Sequence, residues 1–302
     1  DQRARTVWVK SGSEGGGPSD GDTHEWRPFQ LAFILLALRG VTEPDSEDRQ
    51  MVDLLWFPTG GGKTEAYLGL IAYCLFLRRL RNRDSGAGVT VLMRYTLRLL
   101  TIQQFERASS LICACEALRR QEPGELGSAE FSIGLWVGKD STPNTLRDAR
   151  QALDRLRANS PVPKGDPTQL RRCPWCGTWL DHRNYWVTDP DPRLVVACRN
   201  SSCDFETGLP VFLVDEDIFE NRPSLIIATA DKFASLPWRE TAASLFNLDS
   251  DEGPPELIIQ DELHLISGPL GTLAGLYESA IDMLCENDAG VGPKVIASTA
   301  TI

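Results

Sequence analysis

The chain has 302 residues, 42% of them hydrophobic, eight cysteines, and 31 Lys and Arg against 42 Asp and Glu, for a net charge of −11. That length suffices for one full core with a smaller module beside it. The acidic balance excludes a surface that gathers nucleic acid by bulk attraction, so any such contact must be local. The apolar runs at 31–38 and 68–77 are too short and too closely flanked by arginine to cross a bilayer, and the N-terminus lacks the apolar core of a secretory signal. A cytoplasmic protein with no membrane partner is expected.

Residues 1–25 hold a Gly/Ser/Pro/Asp-rich stretch at 11–22 with no periodicity, which reads as a flexible arm or linker to something upstream. Arg27-Pro28-Phe29-Gln30 opens an apolar helix over 31–38 that Gly40 is expected to end. An apolar strand at 54–57 then runs into Pro58-Thr59-Gly60-Gly61-Gly62-Lys63-Thr64-Glu65, followed by a helical pattern. This is the setting of a phosphate-binding loop, in which glycines let successive N–H groups curl toward phosphate oxygens. Lys63 is placed to reach the β- and γ-phosphates of ATP and Thr64 to hold Mg²⁺, with the helix N-terminus adding its partial positive charge. The generic pattern has an additional first glycine where this chain has Phe57.

The helix from Glu65 ends in Arg78, Arg79, Arg81 and Arg83, read as capping and solvated cations. A buried strand at 89–93 leads through Thr96 and Arg98 into a long helix reaching Arg120 and containing Gln103. Another strand at 131–137 ends at Gly138, and Thr142-Pro143 is expected to start an amphipathic helix with Leu146, Ala149, Leu153 and Leu156 on one face. Prolines at 161, 163 and 167 mark a boundary.

Beyond it lie Cys173-Pro174-Trp175-Cys176 and the wider pair Cys198 and Cys203. Two such pairs point to a zinc ribbon with four thiolate ligands, against a redox dithiol or a disulfide pair. Trp175, Trp179, Tyr185 and Trp186 stand among five arginines balanced by five acids, so the ribbon reads either as a brace or as a nucleic-acid contact.

A strand then ends in Thr229-Ala230-Asp231-Lys232, and an apolar strand from Glu256 ends in Gln260-Asp261-Glu262-Leu263-His264. Paired carboxylates after a strand suit ATP hydrolysis, with Asp261 on Mg²⁺ and Glu262 on the attacking water. Gln260 puts a polar residue where an apolar one is expected and so demands a buried partner. The last strand ends in Ser298-Thr299-Ala300-Thr301. Strands alternate with helices throughout, which predicts a parallel α/β sheet.

In this order the motifs resemble those of superfamily 2 helicases, and in their extended wording the helicase component of bacterial anti-phage DISARM systems. The resemblance implies a RecA-like lobe of P-loop NTPase type, with a first part at 26–165, a zinc-ribbon insert at 166–210 and a second part at 211–302. It implies Gln30 on the adenine edge, although a Gln capping its own helix fits equally. It implies Thr96, Arg98, Gln103, Gly138, Thr229 and Lys232 on a nucleic-acid strand, His264 linking the ATP site to the next motif, and Thr299 and Thr301 coupling hydrolysis to motion. The expected function is the first motor lobe of an ATP-dependent DNA helicase or translocase in phage defence, acting on a single strand or a single/double-strand junction with a partner protein in a defence complex. An ATP-dependent DNA-binding switch or loader is the alternative, and a zinc-ribbon module on a degenerate ATPase a third reading that the intact motifs disfavour. With no second lobe to supply an arginine, this stretch alone is expected to be nearly inactive.

Overall fold

The computed structural model describes residues 25–57, 61–83, 85–248, 250–266 and 269–300, excluding the side chains at 98, 99, 269, 270 and 272–274. The elements are α1 (Pro28–Thr42), α2 (Glu47–Gln50), β1 (Asp53–Trp56), α3 (Lys63–Arg81), β2 (Val91–Tyr95), α4 (Arg98–Gln121), α5 (Pro123–Leu126), β3 (Ile133–Trp136), α6 (Leu146–Arg157), β4 (Tyr185–Val187), β5 (Leu194–Val196), β6 (Val211–Phe212), α7 (Asp215–Asn221), β7 (Leu225–Thr229), α8 (Ala230–Phe233), β8 (Leu257–Gln260), α9 (Pro269–Leu284) and β9 (Lys294–Thr299).

Seven strands form one RecA-like sheet in the order β1-β9-β8-β2-β7-β3-β6, every pairing parallel. Parallel strands need covered faces. On one face Leu55, Met93, Ile227, Ile259 and Ile296 pack with Phe33, Leu70 and Phe105 of α1, α3 and α4. On the other, Leu92, Ile226 and Ile258 pack with Ile218 of α7 and Ile281 of α9. The alternation along each strand divides the two cores, and β2, β7 and β8 are buried along their whole length. Because all strands point one way, their carboxyl ends, where the chain turns into its motif loops, share one edge. The strand of the acidic pair lies one strand away from that of the glycine loop, with β9 between them.

Three local expectations differ from what is observed. Gly40 lies inside α1, which runs on to Thr42. A Cβ there would meet the Asp48 carbonyl at 2.9 Å and Lys294 at 3.0 Å, so this glycine permits close approach rather than stopping the helix. Arg78 and Arg79 are 2% exposed. Arg78 donates to the carbonyls of Pro254 at 2.8 Å and Gly253 at 2.5 Å, and Arg79 to that of Ala129 at 2.9 Å, so these cations fasten loops that a solvated helix end would leave loose. The helix expected from Thr142 begins at Leu146, because Thr145 is its cap, its hydroxyl accepting from the Asp148 N–H at 3.1 Å.

Between α6 and β6, the chain forms the antiparallel hairpin β4–β5 and a bridge between Arg172 and Trp179. Buried Trp175, Tyr185 and Phe205 join the core that α4 contributes to. Arg120 of α4 donates to the Asp204 carbonyl at 3.1 Å and lies over the Phe205 ring.

Candidate functional site

Lys63 opens α3, directly after Gly62, whose φ of +96° places it in the left-handed region that favours glycine. Its Nζ donates to the Phe57 carbonyl at 2.8 Å. The N-terminal turn of α1 closes on the same loop: Arg27 donates to the Gly61 carbonyl at 2.7 Å, Gln30 Nε2 to the Gly62 carbonyl at 2.7 Å, and the Phe29 and Phe57 rings stack at 3.9 Å. Gln30 Oε1 accepts from the Arg27 N–H at 2.8 Å, so this buried amide caps its own helix and also fixes the loop. Thr64 is half-buried beside Lys63, and Glu65 pairs with Arg107 of α4. Thr59 and Gly60 lie outside the described residues.

One strand beyond β9, Asp261 is 5% exposed at the end of β8. Its Oδ1 accepts from the Glu262 N–H at 2.9 Å, the Tyr67 hydroxyl at 3.3 Å and the Ser298 hydroxyl. Burial, then the neighbouring Asp261 charge, raise the Tyr67 phenol far above its usual range, so it remains a donor. Glu262 adopts φ +52°, ψ +46°, an uncommon conformation for a residue with a side chain and one that bends the chain sharply after the strand. Its Oε2 lies 3.4 Å from His264 Nδ1, which in turn lies 3.2 Å from Thr299 Oγ1. Glu262, His264 and Thr299 thus form a chain from the acidic turn to the end of β9. Thr301 lies outside the described residues. Gln260 meets that demand only in part: its Nε2 donates to the carbonyls of Asp261 at 3.0 Å and Arg94 at 3.4 Å, while its buried Oε1 has no partner among the described residues.

The residues expected on a nucleic-acid strand divide. Thr96 follows β2, Thr229 ends β7, and Gly138 follows β3, all on the edge that carries the glycine loop and Asp261. The hydroxyls of Thr96 and Thr229 are buried with no hydrogen-bond partner among the described residues. Gln103 is exposed on α4, and Arg98 begins that helix. Lys232 departs from the expectation: it is 7% exposed, its Nζ bonded to Asp215 at 2.9 Å and lying 5.6 Å from the centre of the Trp136 ring. Arg239 shares the same carboxylate at 2.6 Å. Lys232 is thus held inside the fold by Asp215, which the Thr-x-Asp-Lys spacing does not reveal.

The four clustered cysteines converge, every Sγ lying within 4.8 Å of the others. Cys173 and Cys203 are 3.8 Å apart, Cys176 and Cys198 3.4 Å. A tetrahedron with Zn–S distances of about 2.3 Å has edges of about 3.8 Å, so the donor set fits zinc in number, chemistry and size. Gly177 supplies the positive φ of +76° that the knuckle turn needs. Trp175 and Tyr185 are core residues, Trp179 is 67% exposed beneath the stacked Arg172 guanidinium, and Asp181 and Asp189 are taken up by Arg183 and Arg150.

Tyr67 and Ser298 belong to the site although no role for them is legible in the sequence, and Arg27 and Phe29, legible there only as the opening of a helix, join it. Tyr67 follows Thr64 by three residues and so shares its helix face, a signal that was present but is masked because an aromatic at helical spacing reads as core.

No established family profile matches the chain. It is 46% identical over 324 aligned positions, 92% of its length, to the DISARM protein DrmA of Bacillus paralicheniformis, and it spans 29% of that relative. Among solved structures it is similar to the DUF1998 helicase MrfA, at 14% identity and a TM-score of 0.46, covering all of this chain and 29% of that one. The same helicase bound to DNA gives 15% identity and 0.47, covering all of this chain and 26% of the other. The yeast DEAD-box splicing factor Prp28 gives 13% and 0.41, covering 95% of this chain and 49% of that one.

Proposed function

We propose that this chain, a relative of the DISARM protein DrmA over nearly its whole length, is the first motor lobe of an ATP-driven helicase or translocase acting on DNA in phage defence. The observation that carries the reading is the convergence, on one edge of a parallel sheet, of Lys63 and Thr64 at the head of α3, Asp261 and Glu262 at the end of β8, and the β9 hydroxyls between them. In this reading residues 26–165 and 211–302 build the lobe and 166–210 form its zinc-ribbon insert.

The residues fit ATP with Mg²⁺. Lys63 would leave the Phe57 carbonyl for the phosphates, the Gly61–Gly62 backbone would face them, and Thr64 and Asp261 would hold the cation, which supplies charge neutralisation on the phosphates. Glu262 orients and deprotonates the attacking water. The His264 bridge ties Glu262 to Thr299, so a shift at the acidic turn is passed to the end of β9. Thr96, Thr229 and Gly138 form the strand-binding edge, with the two buried threonine hydroxyls that have no partner among the described residues as the support for phosphate contact. Lys232 has no part in it. In the ribbon, Cys173, Cys176, Cys198 and Cys203 hold zinc, a structural brace seated on α4.

The test is ATP turnover by the full-length protein with and without single-stranded and duplex DNA. Stimulation by DNA that disappears in Lys63→Ala is expected, and turnover independent of Lys63 would remove the basis of the assignment.

A further inference from the structure

Three hydrogen bonds converge on one oxygen of Asp261. Its Oδ1 accepts from the Tyr67 hydroxyl at 3.3 Å, the Ser298 hydroxyl and the Glu262 N–H at 2.9 Å, while Oδ2 has no partner among the described residues. Tyr67 and Ser298 are both fully buried. They come from the two elements that flank the acidic strand's end, α3 behind the glycine loop and the neighbouring strand β9. A phenylalanine would serve the core packing at position 67 as well. The hydroxyl is what reaches the carboxylate, and a buried phenol needs such a partner. Tyr67 also lies one helical turn beyond Thr64, so it joins the two places from which a cation would be held, α3 and the end of β8.

We infer that Tyr67 and Ser298 are positioning residues for the divalent cation: they fix Asp261 through Oδ1 and so hold Oδ2 in one orientation for the cation. This rests on the nucleotide-site reading above and adds to it an outer pair of donors. Such partners orient a ligating carboxylate, and their loss typically lowers metal affinity by about 10- to 100-fold. The effect is confined to the cation, because neither hydroxyl is placed on the phosphate loop itself.

The experiment compares binding of a fluorescent ATP analogue by this chain in excess Mg²⁺ and in EDTA, for wild type, Tyr67→Phe and Ser298→Ala, with a thermal melt of each variant. Wild type is expected to bind more tightly with Mg²⁺. Tyr67→Phe should match wild type in EDTA but lose about tenfold or more of the tightening that Mg²⁺ brings, and Ser298→Ala should shift in the same direction. A purely structural role would weaken binding equally in both conditions or leave it unchanged, and either result in both variants overturns the inference. Should Tyr67→Phe fail to fold, Ser298→Ala decides alone. Wild type that binds no nucleotide in either condition would instead overturn the nucleotide reading, and the inference with it.

Discussion

The ammonium of Lys63 lies 2.8 Å from the carbonyl oxygen of Phe57, so the cation of the glycine loop is held by the loop's own backbone. A bound phosphate would replace one carbonyl with several charged oxygens, a stronger partner for the same donor. Lys63→Ala should therefore change the melting temperature of the nucleotide-free chain only slightly, the lost bond being worth on the order of 1 kcal/mol, while abolishing the stabilisation that ATP and Mg²⁺ bring. A thermal melt with and without nucleotide checks this, and an undiminished shift in the variant would contradict it.

Zinc makes a second prediction. Cys173, Cys176, Cys198 and Cys203 close a site in a module whose only regular strands among the described residues are the short hairpin β4–β5, an arrangement for which a metal supplies the missing cross-link. Protein purified without added metal should carry one zinc per chain, and Cys173→Ser should lose it and raise hydrogen exchange across roughly residues 171–205. Full protection there without metal would count against a metal-held module.

Lys232 and Asp215 form a buried pair, 8% and 2% exposed at their side chains. Asp215→Asn leaves two cations, Lys232 and Arg239, facing a neutral group, and removal of one partner of such a pair costs about 3–5 kcal/mol. Denaturant unfolding should show a loss of that order. Lys232→Met, which removes the charge as well as the bond, should cost less and leave DNA affinity of the full-length protein within about twofold. A large loss of DNA affinity in Lys232→Met would return that lysine to the strand-binding edge.

A fourth prediction concerns pH. Burial raises the Asp217 carboxyl from its ordinary 3.8 to about 6, opposed by the hydrogen bond it accepts from the Leu194 N–H at 2.9 Å and by the Arg193 charge. The native state then binds the proton more tightly than the unfolded chain, so this group's contribution is fullest below pH 3.8 and declines as pH rises through about 6. About two pKa units correspond to at most about 3 kcal/mol. Asp217→Asn keeps an acceptor for Leu194 and should melt higher than wild type at pH 7.5, with a flatter dependence between pH 4 and 6. A variant less stable at pH 7.5 with an unchanged slope would refute this.

The glycine loop, the acidic pair and the cysteine pairs were legible in the sequence because each is a local pattern whose chemistry dictates its spacing. The parallel character of the sheet was legible from alternation of strands and helices. The insertion of β9 between β1 and β8 was not, because strand pairing is a long-range choice among many apolar runs of similar length. Burial of Arg78 and Arg79 escaped for a related reason: a cation at a helix end reads as solvated until the loops at 129 and 253–254 are seen to cover it. Gly40, Lys232 and Tyr67 share this origin, each being decided by a partner distant in sequence: Lys294, Asp215 and Asp261.

The central claim is that hydrolysis drives movement along DNA, and Glu262→Gln in the full-length protein tests it most directly. The change is isosteric and leaves the left-handed backbone at this position no more strained than before, so the fold and ATP binding should be preserved while the group that activates water is lost. Measured by strand displacement alongside DNA affinity and phage protection, this variant is predicted to hold ATP, remain clamped on single-stranded DNA, displace no strand and give no protection. Full protection with hydrolysis abolished would contradict the motor account and show that nucleotide occupancy alone is the signal.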